Sequence, residues 1–452
     1  MLTKNQHYTV TIDGMTSEGM GVARIDGRAV FVKNALRGEK CEILILKVGK
    51  NGVWAKCLNV IEPAPGRIEP DCQHFGKCGG CDFRHMSYET EREEKLRRVN
   101  DAFERIGGLE LRAKEILGGE STQSYRNKAQ YPVAGDPPQC GFYRARTHDL
   151  IPARRCLLQT KLSDDLAAEV IKWMGQYNIP AYDESAHSGM VRHIYIRTAF
   201  GTGQIMVCVV AAANSLPHSN ELVDMLKGVC PDLTTVVLAV NKKPGNVILG
   251  DTFINLCGPG YIEDILMGLR FRLSPASFYQ INRDQTHRLY AKAIEYADLH
   301  EGDTVLDLYC GIGTITLSMA AKAGQVIGAE IVPSAVENAR QNAEANGIEN
   351  ARFILADAGQ AAKQLAAEGL RPNVITLDPP RKGLSQDVID AVSEMSPTRV
   401  VYVSCDPATL ARDLKLLSEK GYVATEATAV DMFPRCAHVE SVVKLIHSDI
   451  NS

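Results

Sequence analysis

Hydrophobic and polar positions along the first 62 residues alternate in short β-rich runs, at 8–12, 29–32, 41–46 and 53–58, with Gly14, Gly19 and Gly21 between them. Such runs separated by turn residues predict a small five-stranded, OB-like β-barrel. Pro63-Ala64-Pro65-Gly66 then breaks the chain as a linker. From 72 to about 270 the pattern mixes element types. Charged amphipathic periodicity predicts helices over 89–106 and 163–177, and apolar runs predict adjacent strands over 191–199 and 204–212. From about 300 the chain alternates strand and helix. Strands are predicted at 304–308, 325–329, 351–355, 374–377, 399–403, 421–428 and 441–446, with helices at 314–323 and 333–346. The second helix has Pro333 at its start and Asn346-Gly347 at its end. This alternation predicts a doubly wound α/β sheet with its ligands at the carboxyl ends of the strands. The domain reading is a barrel over 1–62, a central α+β domain over 63–270 and a Rossmann-like domain over 271–452. Part of 84–120 is expected to pack on the last of these.

Composition changes this picture little. The chain of 452 residues has 45% hydrophobic and 23% charged residues, an ordinary globular balance that excludes collagen-like, wholly disordered and disulfide-scaffold proteins. Its net charge of −4 speaks mildly against a polyanion partner. The local distribution speaks for one. Residues 121–161 hold seven basic side chains (Arg126, Lys128, Arg144, Arg146, Arg154, Arg155, Lys161) against Asp136 and Asp149. Tyr125, Tyr131, Phe142 and Tyr143 interleave with them, and cations among stacking surfaces suit single-stranded RNA. The N-terminus lacks an apolar signal core, and the longest apolar run, 205–213, is far shorter than a bilayer span. A cytoplasmic protein without a membrane partner is expected, with its 13 cysteines reduced.

Four carboxylates fall at the predicted strand ends: Asp307, Glu330, Asp357 and Asp378. Asp307 opens Asp-Leu-Tyr-Cys-Gly-Ile-Gly-Thr, a strand–loop–helix turn that lacks the third glycine of a dinucleotide fingerprint, since position 316 is Thr. Acids in this arrangement suit a ligand with a ribose, an exocyclic amine and a positive charge, as S-adenosyl-L-methionine has. Each acid alone would serve equally as a helix N-cap. The fifth strand ends in Ser404-Cys405-Asp406-Pro407, beside Asp378-Pro379-Pro380-Arg381-Lys382, and Glu440 opens the last strand. A thiolate, a base and a cation at one edge suit methylation of a pyrimidine carbon 5. Cys405 would attack carbon 6, Glu440 would remove the carbon-5 proton, and Arg381 or Lys382 would favour the thiolate or the enolate oxygen. Separately, Cys72-x5-Cys78-Gly-Gly-Cys81 has metal-ligand spacing. A fourth thiolate would come from Cys140 or Cys156, and either Zn or a 4Fe-4S cluster fits the donor set.

The segments Ser277-Phe278-Tyr279-Gln280-Ile281-Asn282, Leu306 to Gly311, Leu377 to Arg381, Ser404 to Pro407 and His438-Val439-Glu440 together resemble the bacterial RNA uracil-C5 methyltransferase family. The resemblance spans nearly the whole chain. It implies that Gln280, Tyr309, Glu330 and Asp378 contact the methyl donor, with Asp357 a further candidate, that Cys405 is the nucleophile and that Glu440 is the base. It implies a 4Fe-4S cluster on Cys72, Cys78, Cys81 and Cys156, and identifies residues 1–62 with the RNA-binding TRAM barrel. Barrel and cluster together point to the branch that acts on 23S rRNA, with the target uridine flipped toward Cys405. The alternatives are the same chemistry on tRNA, or a non-catalytic RNA-binding or assembly factor. No obligate protein partner is expected. Two positions depart from relatives. Cys436 stands where many carry Thr, with a packing thiol as its default role, and Thr314 replaces an Asn that touches the cofactor in some.

Overall fold

The computed structural model describes residues 2–448. The N-terminal sheet has six strands rather than five. The runs predicted from alternation are present, joined by His7–Thr11 pairing with Lys40–Gly49 and by the additional strands Gly14–Met15 and Gly21–Ile25. The glycine-rich stretch read as turns is thus itself paired, with Gly21 and Ala23 facing inward. Val30, Val32, Cys41, Ile43, Ile45 and Val53 fill the barrel core.

Residues 128–257 form a seven-stranded mixed sheet. Its centre pairs Val191–Thr198 with Ile205–Ala211, antiparallel. Helices Lys161–Gln176 and Ser219–Val229 bury Leu166, Val170, Trp173, Leu222 and Leu226 in the same core as the strands' inward side chains.

The third sheet has eight strands: β1 (Ile116–Leu117), β2 (Thr304–Leu308), β3 (Gln325–Glu330), β4 (Ala351–Leu355), β5 (Val374–Leu377), β6 (Arg399–Ser404), β7 (Tyr422–Val430) and β8 (Glu440–His447). Their order is β4-β3-β2-β5-β6-β8-β7-β1. β2 to β6 are parallel and β8 runs antiparallel to both neighbours. The carboxyl ends of β2, β3, β5 and β6 therefore share one edge with the amino end of β8. The near-continuous apolar runs in β5 and β6 follow from burial on both faces, with two separate cores above and below.

The first strand of this sheet comes from far away in sequence. Helix α1 (Tyr88–Ala102) continues as a short π-turn to Gly107, and β1 then pairs with the outer edge of β7. Val99, Ala102 and Phe103 enter the core beneath β2 and β5. Among the described residues, no helix is long and apolar enough to cross a membrane.

Candidate active site

The turn after β2 is shaped by backbone conformation. Tyr309 lies in the left-handed region at φ 81°, an arrangement that costs a non-glycine residue on the order of 1–3 kcal/mol. Gly313 also has a positive φ of 83°, and an added Cβ would stand 3.2 Å from the ring of Phe353. The amides of Tyr309 and Cys310 both donate to Ala329 O at 3.0 Å, folding the turn onto β3. Glu330, at the end of β3, accepts from Gly311 N at 3.1 Å and from Val332 N at 2.9 Å. Its carboxylate is thereby fixed at the crevice rim. Ile331 and Val332 remain exposed just beyond it and offer an apolar face to a flat ring. The sequence reading missed these two. Their only signal was apolar residues between an acid and Pro333.

The carboxylates divide by role. Asp307 is buried, bonds to the Thr316 hydroxyl, and is pushed up to about 6 by burial. It is a support beneath the crevice. Asp357 is exposed and caps the next helix through Gly359 N at 3.0 Å, so the cap alternative describes what its side chain does here. Asp378 is pushed up to about 7 by burial and then by Asp307. Gln280 is brought in by the central domain. Asn127 Nδ2 donates to Gln280 O at 2.8 Å and Asn127 N to Ile281 O at 2.9 Å. Phe278 in the same loop is 68% exposed, a large aromatic surface open to solvent.

The antiparallel register of β6 and β8 sets Ser404 opposite Ser441. Cys405 and Glu440 therefore emerge on adjacent strands at the same end. Asp406 caps the following helix Pro407–Ser418 through Ala408 N at 2.8 Å and Thr409 N at 3.2 Å, which leaves Cys405 half-buried at a helix N-terminus. Glu440 is buried, and burial, then Asp378, raises its carboxyl to about 8. Burial, then Glu440 and Asp378, raises the Cys405 thiol to about 11. Arg381 opposes both shifts. The Arg381 guanidinium donates to His438 Nε2 at 3.3 Å, which fits the neutral tautomer with its proton on Nδ1. Of the two cations in the sequence reading, Arg381 acts on this corner. Lys382 is exposed, and its carbonyl holds Arg412 at 2.9 Å.

Cys72, Cys78, Cys81 and Cys156 line one cavity of about 70 Å³ beneath the central sheet. Cys140 packs against the central-domain core instead. Gly79 lies so close to the neighbouring strand end that a Cβ would stand 3.1 Å from Ala145 Cα, and its amide donates to Tyr143 O at 3.0 Å. Arg84 is 1% exposed and donates to Cys81 Sγ at 3.3 Å and to Asp71 at 2.7 Å. Cys436 is buried against Cys81 and Cys156 and donates to Gly80 O at 3.1 Å. It thus belongs to this thiol group as much as to the Glu440 strand. Among the described residues, no three His, Cys, Asp or Glu side chains converge on a single ion. Four thiols around one cavity, next to a buried guanidinium, are a donor set chemically suited to a thiolate-bound metal centre.

The basic segment is only partly a surface. Arg144, Arg146, Arg154, Arg155 and Lys161 are exposed. Tyr125 and Tyr131 are not stacking platforms, as interleaving had suggested. Both are buried, with hydroxyls donating to Pro434 O at 3.0 Å and Asp164 Oδ1 at 2.7 Å. Phe142 is half-buried, and Tyr143 stacks on His148 with ring centroids 4.9 Å apart.

Residues 262–448 match the family model described as tRNA (Uracil-5-)-methyltransferase, and residues 2–56 match the TRAM domain. A protein named as an uncharacterized RNA methyltransferase in Caldanaerobacter subterraneus subsp. tengcongensis is 42% identical, covering 97% of each chain. One of Clostridium tetani is 40% identical over 98% of this chain and 97% of its own. The crystal structure of Pyrococcus abyssi tRNA (uracil-54, C5)-methyltransferase with S-adenosyl-L-homocysteine superposes with a TM-score of 0.79 at 26% identity, covering 97% of this chain and all of that one.

Proposed function

Because this chain belongs to the RNA (uracil-5-)-methyltransferase family, an S-adenosylmethionine-dependent family whose domain it joins to a TRAM barrel, we propose that it methylates carbon 5 of a uridine in 23S rRNA through a covalent adduct on Cys405. The observation that carries this reading is the β6–β8 register, with a half-buried thiol and a buried carboxyl at one strand edge and Arg381 acting on both.

S-adenosylmethionine, when bound, supplies an electrophilic methyl group. The residues present suit it: Glu330 is fixed by two backbone amides as an acceptor for ribose hydroxyls, Ile331 and Val332 offer exposed apolar surface for a ring, and Asp378, Tyr309 and Gln280 are assigned to the remaining contacts. Asp357 is assigned to the outer rim. Cys405 adds to carbon 6 of the uracil, and electron density moves to carbon 5 and the O4 enolate. Carbon 5 takes the methyl as the sulfur–methyl bond breaks, its electron pair staying on sulfur in S-adenosylhomocysteine. The Glu440 carboxylate then removes the carbon-5 proton, the carbon 6–sulfur bond breaks and the thiolate returns. Carbon 6 is inaccessible in a stacked helix, so the uridine must flip, and exposed Phe278 offers its ring to the strand left behind. Cys72, Cys78, Cys81 and Cys156 would hold a 4Fe-4S cluster in a structural or RNA-orienting role, with Arg84 balancing its charge. The exposed arginines at 144–155 would meet the phosphate backbone.

The Pyrococcus structure spans the barrel as well, which favours a second reading, tRNA as substrate, over any argument from the barrel alone. Mass-spectrometric mapping of 5-methyluridine in 23S rRNA and tRNA from cells with and without the gene separates the two. Loss confined to tRNA overturns the ribosomal assignment. A Cys405→Ala protein that still forms a stable complex with 5-fluorouridine RNA overturns the nucleophile. A parent protein that forms none overturns the covalent route, and leaves RNA binding without turnover as the alternative. Protein free of iron and sulfide after anaerobic purification overturns the cluster.

A further inference from the structure

β7 ends at Val430 and β8 begins at Glu440, and residues 431–439 connect them. A connection of this length does not fix its own shape. Here Asp431 and the five consecutive residues 433–437 are held from outside. Lys95, on α1, donates to Asp431 Oδ1 at 2.6 Å, to Phe433 O at 3.1 Å and to Glu91 Oε1 at 2.7 Å. The side chains of Lys95, Glu91 and Asp431 are all within 1% of fully buried. Tyr125 bonds Pro434 O. Glu91 accepts from Arg435 N at 2.6 Å, and the Arg435 side chain donates to Met86 O at 2.9 Å. Arg435 sits at φ 72°, held in the left-handed region by these bonds. Cys436 is fixed on Gly80, and Ala437 N donates to Asp82 Oδ2 at 2.9 Å. Two carboxylates, Glu91 and Asp431, and two cations, Lys95 and Arg435, face one another in a largely buried site. A packing role alone needs no such arrangement, because apolar residues would fill the space at lower desolvation cost.

We propose that Lys95 is a positioning residue: through Asp431, Phe433 and Glu91 it fixes the connection that aims Glu440 at the reacting carbon, tying the base to the segment that carries Cys78 and Cys81. The proposal rests on Glu440 being the base and Cys405 the nucleophile. Its consequence is specific to one step. Cys405 is anchored by β6 and by the Asp406 cap of its own helix, and the Lys95 hydrogen bonds go to Glu91, Asp431 and Phe433 rather than to that cap, although α1 also packs against helix Pro407–Ser418. A loosened connection therefore slows proton removal and release while attack continues, and misplacement of this kind costs about ten- to a hundredfold.

The test uses full-length protein, S-adenosylmethionine and a transcript containing the mapped uridine, with the RNA–protein adduct followed on denaturing gels after rapid quenching. Lys95→Met is expected to form the adduct at close to the parent rate and to release it at least about tenfold more slowly, like Glu440→Gln. Arg435→Lys, which keeps the charge balance, is expected to show the same split to a smaller extent, and carries the test if Lys95→Met does not fold. Parallel slowing of adduct formation and release, or unchanged release in folded variants, overturns the proposal. Absence of any adduct in the parent and in Glu440→Gln overturns the covalent reading on which it rests, a result distinct from either.

Discussion

Glu440→Gln tests the electrostatics of the site without the RNA. The carboxyl is 4% exposed, and burial and Asp378 raise it from its ordinary 4.5 to about 8. The folded protein therefore holds this proton more tightly than the unfolded chain. Its contribution to stability is fully present below pH 4.5 and is lost as pH rises through 8. At about 1.36 kcal/mol per tenfold change in proton affinity, the shift corresponds to an upper limit of about 5 kcal/mol, and relaxation around the ionised group leaves on the order of 2–4. Glutamine has the same shape and no charge to bury. The variant should unfold near the parent temperature at pH 5 and pull ahead of it steadily to pH 9, and the gap at pH 9 should shrink in Asp378→Asn, which removes the second cause. Thermal unfolding at five pH values, followed by fluorescence of the full chain, measures this. A stability difference that stays constant from pH 5 to 9 would refute the burial argument. So would a loss of stability that grows with pH.

The same shifts predict the pH dependence of turnover. With Glu440 near 8 and the Cys405 thiol near 11, both reactive forms are the deprotonated ones, so the rate at saturating substrate should rise from pH 6.5 to 8.5, and a falling profile contradicts the assigned roles. Arg381 holds both groups lower, so Arg381→Gln should displace that profile toward higher pH as well as reduce its height. Asn127→Ala removes a bond to Gln280 O, a change worth about 1–2 kcal/mol, and should weaken S-adenosylmethionine binding by about five- to thirtyfold in titration calorimetry, with adduct formation on 5-fluorouridine RNA intact. Cys156→Ser should lose iron and visible absorbance after anaerobic purification whereas Cys140→Ser keeps both, because only the former residue lines the thiol cavity.

Sequence alone determined seven of the sheet's eight strands and which residues fall at its carboxyl edge. Strand–helix alternation is written in local periodicity, and strand-end positions follow from it, so Glu330, Asp378 and Cys405 could be assigned to one edge before any coordinates. The Cys-x5-Cys-x2-Cys spacing is equally local. What sequence did not decide depends on contacts between distant segments. Alternation could not show that Gly21–Ile25 is a strand, since its pairing with Arg28–Lys33 is backbone chemistry. Aromatic residues among arginines look alike whether buried or exposed, and only packing shows that Tyr125 and Tyr131 face inward while Phe278 faces out. That Asp357 caps a helix depends on its bond to Gly359 N, which only the folded turn makes. Cys436 looked like an isolated thiol because Cys81 lies 355 positions away in the chain. The same is true of Lys95, one charge among many on a charged amphipathic helix, which lies buried between Glu91 and Asp431. Periodicity reports what a segment prefers. The protonation of Glu440 and the aim of its carboxylate are set by desolvation and by partners that only the assembled fold brings together.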